Sequence, residues 1–539
     1  MTKFIIVTGG VVSSLGKGIV SASIGMLLKQ HGLRVTMLKF DPYINVDAGT
    51  MNPYQHGEVF VTDDGGETDL DLGHYERFID VPMTKASNVT SGMVYNSVIS
   101  QERKGTFDGA CVQVVPHITD EIKRRIYLLA GDDIDVVIVE VGGTVGDIES
   151  QPFLEALRQF RIEVKSENIA FLHLTLIPYL FAAGELKTKP SQHSVMKLRE
   201  IGIQPDALLV RTQLKTTKDV RAKLSLFCSV DEEHVIEVPD VDYSIYQVPQ
   251  ILHNQKLDKI LVERLGLKTQ KLDLRLWEDM LYKLRNPQKS VTIGVVGKYI
   301  ELKDAYKSIY ESLGHGGIAN NISINIKRIS SDTQLESEAS KIIQELDNVD
   351  GILIPGGFGH RGIEGKIYAV KYARENNIPL FGICLGLQCM VIEFARNIIG
   401  YKDANSSEFN KDTSSPVIHL MVEQETIKII GGTMRLGAYD CDIEKDSLAF
   451  AAYQQEKISE RHRHRYELNH VYEQDFIKHG MKLSGRNPQT KLVEIVELPS
   501  HPWFIGVQFH PEFQSRPTIA HPLFRSFIEA SSNYRKSKA

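Results

Sequence analysis

The chain has 539 residues, of which 42% are hydrophobic and 24% are charged, and its formal net charge is -6. The length exceeds what one hydrophobic core supports and predicts roughly two to four domains, while the composition is that of an ordinary soluble globular protein. The slightly acidic balance gives no overall basic character that would point to nucleic acid, so local lysines must meet any anionic ligand.

The cysteines and apolar stretches bear on the cellular compartment. The five cysteines are scattered without a C-x-x-C pair, which favours a reducing compartment and argues against structural zinc. The apolar run at residues 4–7 is too short for a signal-peptide core, and the stretch 169–184 is interrupted by His173 and Pro178. We therefore expect a cytoplasmic protein without a membrane span.

Two successive alternations of apolar runs and helical patterns organise the chain. Continuous Val, Ile and Leu runs are typical of parallel strands covered on both faces. The predicted strands are residues 4–8, 34–40, 134–140, 169–177 and 207–211, then 291–297, 322–329, 351–355 and 379–384. The pattern predicts an α/β protein with two doubly wound domains, residues 1–266 and 291–539, joined by a charged linker at 267–290.

A glycine-rich segment at residues 9–18 (GGVVSSLGKG) follows the first predicted strand and opens a helix. Backbone amides and the positive end of a helix bind phosphate in this setting. The segment departs from the G-x-x-x-x-G-K-[ST] pattern, because Val11 replaces the first glycine and Gly18 replaces the hydroxyl that would bind Mg2+. Lys17 can still neutralise phosphate oxygens, but a metal would need other oxygen ligands.

Two carboxylates are candidates for that role. Glu140 ends an apolar strand, where a charge is costly unless it is paired or liganded, and where open sheets bind ligands. Asp71, in an acidic stretch, fits a solvated loop equally well when read alone. Lysines 39, 187, 189 and 223 each fit a solvated surface, but as a set they can clamp a second polyphosphate.

The second half contains the pattern of an activated thiol. Cys384 lies in GICLG between a predicted strand and a helix, where a strained turn exposes the sulfur and the helix N-terminus favours thiolate. In the extended segment QFHPEF, Glu512 points the same way as His510 and can support it as a general base. Cys384 alone fits a small buried hydrophobe, as Cys389 does, but the three residues together indicate acyl transfer through a thioester.

The loop PGGFG at residues 355–359 offers unhindered backbone amides, one of which can bind an oxyanion together with the amide of Leu385. With the cysteine and histidine segments, it resembles the triad-type (class I) glutamine amidotransferases. These enzymes hydrolyse glutamine and deliver ammonia to a second active site.

The whole chain resembles the CTP synthase family, in long strings that follow the family's order. The strings include residues 9–18, 39–47 (KFDPYINVD), 69–78 (DLDLGHYERF), 140–150 (EVGGTVGDIES), 187–194 and 460–467 (ERHRHRYE). The resemblance implies an N-terminal, P-loop-like synthase (amidoligase) domain and a C-terminal class I glutamine amidotransferase domain. ATP would phosphorylate UTP at O4, and ammonia, from glutamine or supplied directly, would displace the phosphate to give CTP.

The resemblance also implies nucleotide and metal contacts. ATP would contact Ser14, Leu15, Gly16, Lys17, Gly18, Ile19, Asp71, Asp240 and Val241, and Mg2+ would be held by Asp71 and Glu140. UTP and the overlapping inhibitor CTP would contact Ser13, Asp147, Ile148, Glu149, Lys187, Thr188, Lys189, Pro190, Ser191, Gln192 and Lys223.

For the glutaminase half, the resemblance implies catalysis by Cys384, His510 and Glu512, and His56 would line the ammonia route. Glutamine would contact Gly357, Leu385, Gly386, Leu387, Gln388, Glu408 and Arg465. GTP would act as an allosteric activator, and the protein would form a homotetramer. Neither a membrane nor a nucleic acid is expected as a partner.

Two other functions remain open on the sequence. One is a different glutamine-dependent ATP amidoligase that acts on a carboxylate, which would share the phosphate loop and the triad but not require residues 187–192. The other is a catalytically silent, nucleotide-sensing assembly protein, against which the intact Lys17, Cys384, His510 and Glu512 argue.

Overall fold

A computed structural model describes residues 1–52, 56–332, 339–420 and 434–538. The chain divides into two compact units: the first comprises Met1–Ala48 and Asp71–Leu276, and the second comprises Gly49–Leu70 and Trp277–Ala539. We call residues 49–70 the inserted segment. It belongs to the second unit, although the sequence division assigns it to residues 1–266; that division and the linker at 267–290 stay predictions.

The first part of the chain alternates strands and helices. The strands are β1 (Lys3–Gly9), β2 (Val35–Asp41), β3 (Phe60–Val61), β4 (Glu67–Thr68), β5 (Asn88–Thr90), β6 (Val136–Val141), β7 (Ile169–Ile177), β8 (Tyr179–Leu180), β9 (Glu185–Leu186), β10 (Ala207–Thr212) and β11 (Val235–Pro239). The helices are α1 (Lys17–Gln30), α2 (Asp71–Ile79), α3 (Ser91–Arg103), α4 (Thr119–Tyr127), α5 (Gln151–Val164), α6 (Lys189–Glu200), α7 (Lys218–Cys228), α8 (Val248–Asn254) and α9 (Leu257–Leu265).

Seven of these described strands form the sheet of the first unit, in the order β11-β10-β7-β1-β6-β2-β5. Every pairing in it is parallel. The carboxyl ends of neighbouring parallel strands lie at one edge of a sheet, where ligands bind in open α/β folds. The glycine-rich loop after β1 and Glu140 near the end of β6 therefore meet at that edge.

The remainder of the chain carries the larger sheet of the second unit. The strands are β12 (Lys289–Gly297), β13 (Ile322–Ser330), β14 (Gly351–Ile354), β15 (Leu380–Ile383), β16 (Asn405–Ser406), β17 (Pro416–Leu420), β18 (Arg435–Ile443), β19 (Lys457–His464), β20 (Tyr466–Leu468), β21 (Lys482–Arg486), β22 (Val493–Glu497) and β23 (Phe504–Val507). The helices are α10 (Arg275–Arg285), α11 (Lys307–Asn320), α12 (Ala339–Leu346), α13 (Ile363–Glu375), α14 (Leu385–Phe394), α15 (Leu448–Tyr453), α16 (Glu473–Lys478) and α17 (Pro522–Lys538).

In the described residues, this sheet has the order β13-β12-β14-β15-β23-β22-β21-β18-β19. The pairings from β13 to β23 are parallel, and those from β23 to β19 are antiparallel. Alternate residues of β14 enter two different apolar clusters, Ile352 and Ile354 in one and Leu353 in the other. The strand is therefore covered on both faces, as its unbroken apolar sequence requires.

The structure confirms the predicted α/β class and each predicted strand, with boundaries that shift by at most two residues. The apolar stretch from residue 169 forms β7 and not a helix. Within the described ranges, no helix combines the length and apolar character needed to cross a membrane.

Candidate active sites

Cys384 occupies the sharp turn between β15 and α14 in the second unit. Its backbone has φ 52° and ψ -102°, a conformation that non-glycine residues rarely adopt and that persists only when its surroundings enforce it. The turn is packed tightly, because a β-carbon at Gly386 would collide with the carbonyl oxygen of Ile354. The strained turn predicted from the glycine spacing is therefore present at the start of a helix. The prediction that this turn exposes the sulfur is wrong, because Cys384 is only 4% exposed.

His510 and Glu512 form the second part of this site. His510 Nδ1 lies 2.7 Å from Glu512 Oε1, and both side chains are buried. A β-carbon at Gly356 would lie 3.0 Å from His510 Cε1 and 3.6 Å from Cys384 Cβ, so the two side chains meet at this glycine. Burial alone would lower the pKa of His510, but the charges of Glu512 and Cys384 raise it to about 10. A protonated imidazole favours the thiolate beside it.

Two further groups orient the sulfur. Gln508 Nε2 donates to Cys384 Sγ at 3.7 Å, and the carbonyl oxygen of Arg463 lies 3.9 Å from the same sulfur. The Gln508 contact was missed from sequence, although its position two residues before His510 in an extended segment was an available signal.

A small cavity beside Cys384 collects most of the predicted glutamine contacts. It is lined by Gly357, Phe358, Cys384, Gln388, Glu408, His464, Arg465 and Tyr466. Burial raises the pKa of Glu408, which accepts a hydrogen bond from the Gly359 amide at 2.9 Å. A carboxylate and a guanidinium together complement the ammonium and carboxylate of an α-amino acid. Leu385, Gly386 and Leu387 form the first turn of α14 and are not among the described lining residues.

A larger cavity of about 230 Å³ also opens onto Cys384 and His510, within the second unit. The inserted segment supplies part of its wall through Gly49, Met51, Glu58 and Val59. His56, predicted for the ammonia route, lies in the same segment with Nε2 3.4 Å from Asp69 Oδ2, but is not among the described lining residues. No feature of the sequence indicates that Gly49, Met51, Glu58 and Val59 line a cavity at the thiol.

In the first unit, the glycine-rich loop leads into α1 with Lys17 at its first position. Val11 and Ser14 have positive φ values of 79° and 57°, and Gly16 has φ 87°, so the loop curls tightly. Lys17 is buried and its Nζ donates to the carbonyl oxygen of Gly143 at 3.0 Å. Burial lowers the pKa of this ammonium, and the charge of Glu140 opposes the effect.

Asp71 takes the space that the missing hydroxyl would occupy. A β-carbon at Gly18 would lie 2.8 Å from Asp71 Cγ, so a serine or threonine there would displace the carboxylate. Lys39 Nζ donates to Asp71 Oδ2 at 2.6 Å and lies 3.2 Å from Asp41 Oδ1. Asp71, whose side chain is 23% exposed, begins α2 and is paired with the buried Lys39 in an ionic cluster, so the solvated-loop interpretation is wrong.

Glu140 completes this cluster. It is 1% exposed, and burial followed by the charge of Asp71 raises its pKa to about 7. Tyr75, four residues after Asp71 on α2, donates its hydroxyl to Glu140 Oε2; sequence reasoning missed it, although the helical spacing was a signal. In the described residues, no group of three or more His, Cys, Asp or Glu side chains is arranged to hold a metal. Two close carboxylates suit Mg2+, which takes its remaining ligands from phosphate and water.

The other predicted nucleotide contacts lie on the surrounding loops. Arg211 connects Asp240, next to Val241, with the phosphate loop, because its Nη2 lies 2.5 Å from Asp240 Oδ1 and its Nη1 donates to the Leu15 carbonyl oxygen at 3.4 Å. Asp147 Oδ2 accepts from the Thr144 amide at 2.8 Å. Ser13, Ile148 and Glu149 are exposed.

The predicted UTP segment opens helix α6. Lys187 pairs with Glu185, and this contact, with a smaller contribution from the charge of Lys223, lowers the pKa of Glu185. Ser191 donates to the Leu176 carbonyl oxygen at 3.0 Å, and Gln192 donates to Thr188 at 3.0 Å. Lys189 and Pro190 begin the helix. Lys187 and Glu185 form an exposed ion pair.

Comparisons with known proteins cover both halves. The family model described as CTP synthase N-terminus matches residues 3–267, and the model described as glutamine amidotransferase class-I matches residues 301–530. A CTP synthase of Clostridium acetobutylicum is 57% identical over 536 residues, 99% of each chain. A CTP synthase of Aquifex aeolicus is 55% identical over 536 residues, again 99% of each chain.

Among solved structures, the glutaminase domain of a Trypanosoma brucei CTPS with bound acivicin is 41% identical to the part it matches. The match covers 45% of this chain and 94% of that domain, with a TM-score of 0.43.

Proposed function

Because the chain belongs to the CTP synthase family, we propose that it aminates UTP to CTP through two coupled reactions, one in each unit. ATP transfers its terminal phosphoryl group to O4 of UTP, which releases ADP. Ammonia then attacks C4, the ring carbon that carries the phosphorylated O4, and the C4–O4 bond breaks to release phosphate and give CTP. The ammonia comes from glutamine, which is hydrolysed to glutamate.

In the second unit, Cys384 is the nucleophile for glutamine hydrolysis. The thiolate attacks the side-chain amide carbon, while backbone amides of the 355–359 loop and Leu385 receive the negative charge that develops on oxygen. His510 gives its proton to the departing ammonia, leaving a thioester, and then accepts a proton from the water that hydrolyses it. Glu512 keeps the imidazole oriented through both steps and stabilises its protonated form before the first step and after the second.

In the first unit, Lys17 and the loop amides bind the transferred phosphoryl group and stabilise the charge that spreads over its oxygens. Asp71 and Glu140 would hold Mg2+, which neutralises phosphate charge and aligns the reacting oxygens when it is bound. Asp240 and Val241 are assigned to the adenine side of ATP from the family; the contacts of Arg211 with Asp240 and with the Leu15 carbonyl oxygen support this assignment.

Further features follow from the family and belong to the proposal. UTP is bound by residues 187–192 with Lys223 and Ser13, and CTP inhibits by competing for shared triphosphate contacts with help from Asp147, Ile148 and Glu149. GTP activates glutamine hydrolysis. The active form is a homotetramer in the cytoplasm. His56 borders the path of ammonia.

The joint presence of two buried ionic sites of different chemistry supports this function best. Product analysis with UTP, ATP and glutamine tests it. A cytidine nucleotide formed with one ADP for each UTP consumed supports the proposal. ADP formation that does not require UTP would instead support an amidoligase acting on a carboxylate, and no turnover of either substrate would support a silent nucleotide-sensing protein.

A further inference from the structure

The side chain of Arg461 on β19 is buried against the inserted segment, in the second unit. It is 1% exposed, its Nε donates to Asp63 Oδ1 at 2.5 Å, and its Nη1 donates to the Val61 carbonyl oxygen at 3.1 Å. The guanidinium carbon lies 5.4 Å from the ring centre of Phe60. Because a buried charge is costly unless it is paired, these three residues form a socket that matches the arginine.

The same arginine contacts the catalytic histidine segment. The backbone amide of His510 donates to the Arg461 carbonyl oxygen at 2.7 Å, and Arg461 Nη1 donates to the Phe513 carbonyl oxygen at 3.4 Å. The Phe513 ring stacks on the His510 imidazole at 5.2 Å and meets the edge of Phe60 at 5.1 Å. The imidazole is thus supported from its backbone and from its ring face.

A second contact of the inserted segment leads to the other catalytic side chain. Glu58 Oε2 accepts a hydrogen bond from the Ser308 amide at 2.8 Å, in the first turn of α11. On the same helix, Ser312 donates its hydroxyl to the Glu512 carbonyl oxygen at 3.2 Å. Both His510 and Glu512 therefore rest on elements that the inserted segment anchors.

We propose that Arg461 is a positioning residue for His510, and that the socket of Phe60, Val61 and Asp63 is needed to hold it for glutamine hydrolysis. The inference rests on the proposed function of the second unit. It makes residues from the N-terminal half part of the glutaminase. Asp71, a proposed ligand of the ATP site, follows the inserted segment directly in the sequence. The inserted segment therefore connects the proposed glutaminase support to the proposed ATP site along the chain.

The test uses the full chain with Arg461→Met, which keeps the length of the side chain and removes its charge, and Arg461→Lys as the conservative variant. Arg486→Met is the matched control: Arg486 also pairs with a carboxylate, at 2.7 Å from Glu473 Oε2, and donates to a carbonyl oxygen, at 2.9 Å from Lys491. We expect Arg461→Met to lower kcat for glutamine hydrolysis about 10-fold or more, with KM changed less than about 3-fold, because orientation and not binding is lost.

Ammonia-fed CTP synthesis should stay near the wild-type rate in Arg461→Met. Arg461→Lys should recover part of the glutaminase rate, and Arg486→Met should match wild type in both assays.

The pH profile of glutaminase activity separates a positioning role of Arg461 from simple loss of folded protein. His510 faces Glu512 and Cys384, with His462 and His464 nearby on β19. Its displacement from Glu512 and Cys384 would lower its raised pKa, so the alkaline decline of glutaminase activity should begin at lower pH.

A folded Arg461→Met protein with the kcat and alkaline decline of Arg486→Met would overturn the inference. If Arg461→Met does not fold, the test uses Asp63→Asn, which keeps the shape of the side chain and removes the charge that pairs with Arg461. An unchanged kcat and an unchanged pH profile in Asp63→Asn would also overturn the inference. Failure of the wild type to make CTP from glutamine would instead refute the proposed function.

Discussion

The two candidate sites use buried carboxylates in opposite ways. In the second unit, Glu512 faces one cationic partner and helps to raise the pKa of His510 to about 10. In the first unit, Glu140 is buried near a second carboxylate, and its own pKa is raised to about 7. The thiol site therefore has its charges paired within the chain, whereas the phosphate site stabilises two close carboxylates through nearby lysines and the Tyr75 hydroxyl, and would gain from a bound cation.

This difference indicates separate tasks for the two regions. A matched ion pair activates a nucleophile before the substrate binds. A site with two close carboxylates instead gains electrostatic stabilisation when a cation binds. A substitution in the thiol site should therefore lower only glutamine-dependent synthesis, whereas a substitution in the phosphate site should lower synthesis from glutamine and from ammonia. Assays with each nitrogen source distinguish the two cases.

Cys384→Ala should have the largest effect. Removal of a nucleophile lowers kcat on the order of 10^4-fold or more, so glutamine-dependent CTP synthesis should be lost. Ammonia-dependent synthesis should stay within about 2-fold of wild type, because the phosphate site is untouched. Rates measured with each nitrogen source check this, and equal losses with both would show that the sites are not separable.

Lys17→Ala should reverse that pattern. Loss of a buried cation that stabilises transition-state charge should lower synthesis from either nitrogen source by about 10^2- to 10^3-fold. Glutamine hydrolysis without nucleotides should be retained. Lys29→Ala on the same helix is a suitable control, because the contacts of Lys29 with described residues are to Ile79 and Asp80, at the C-terminal end of α2. Full ammonia-dependent turnover in Lys17→Ala would remove its proposed role.

Glu140→Gln should change the metal requirement. The amide keeps the shape and removes a ligand charge, so the Mg2+ concentration for half-maximal synthesis should rise roughly 10- to 100-fold. A titration of ammonia-dependent synthesis with Mg2+ measures this. Glu237→Gln, at a buried carboxylate on β11 that pairs with Arg221, should leave the titration unchanged. A wild-type Mg2+ requirement in Glu140→Gln would count against this residue as a ligand.

Glu512→Gln gives the smallest effect, on stability as a function of pH. The pKa of His510 is raised from 6.5 to about 10 in the folded protein, so its contribution is fully present below pH 6.5 and is lost as the pH rises through about 10. The free energy of unfolding of wild type should exceed that of the variant by roughly 1–3 kcal/mol near pH 6.5, and the difference should shrink by pH 10. Denaturant titrations across this range measure it, and a constant difference would contradict the ion pair.

Much of both sites was predictable because the signals are local. The apolar runs predicted β1, β6 and β15, and the glycine spacing around Cys384 predicted the strained turn that the structure confirms. Glu140 was identified because a charge that ends a buried strand needs a partner, and the structure supplies Tyr75.

The remainder was not predictable because it depends on contacts between distant parts of the chain. Arg461 and Asp63 are 398 residues apart, and Glu58 and Ser308 are 250 residues apart. No local periodicity encodes such a pair. The place of residues 49–70 in the second unit, and the support that they give to His510, therefore emerged only from the fold.

The central claim is that nitrogen released at Cys384 is transferred to a pyrimidine activated at Lys17. Incubation with UTP, ATP and glutamine labelled with ¹⁵N in its side-chain amide, followed by mass analysis of the nucleotides, tests it most directly. The account predicts CTP with the label in its amino group, and no labelled CTP from Cys384→Ala or Lys17→Ala. Labelled ammonia and ADP released without labelled CTP from the wild type would contradict it.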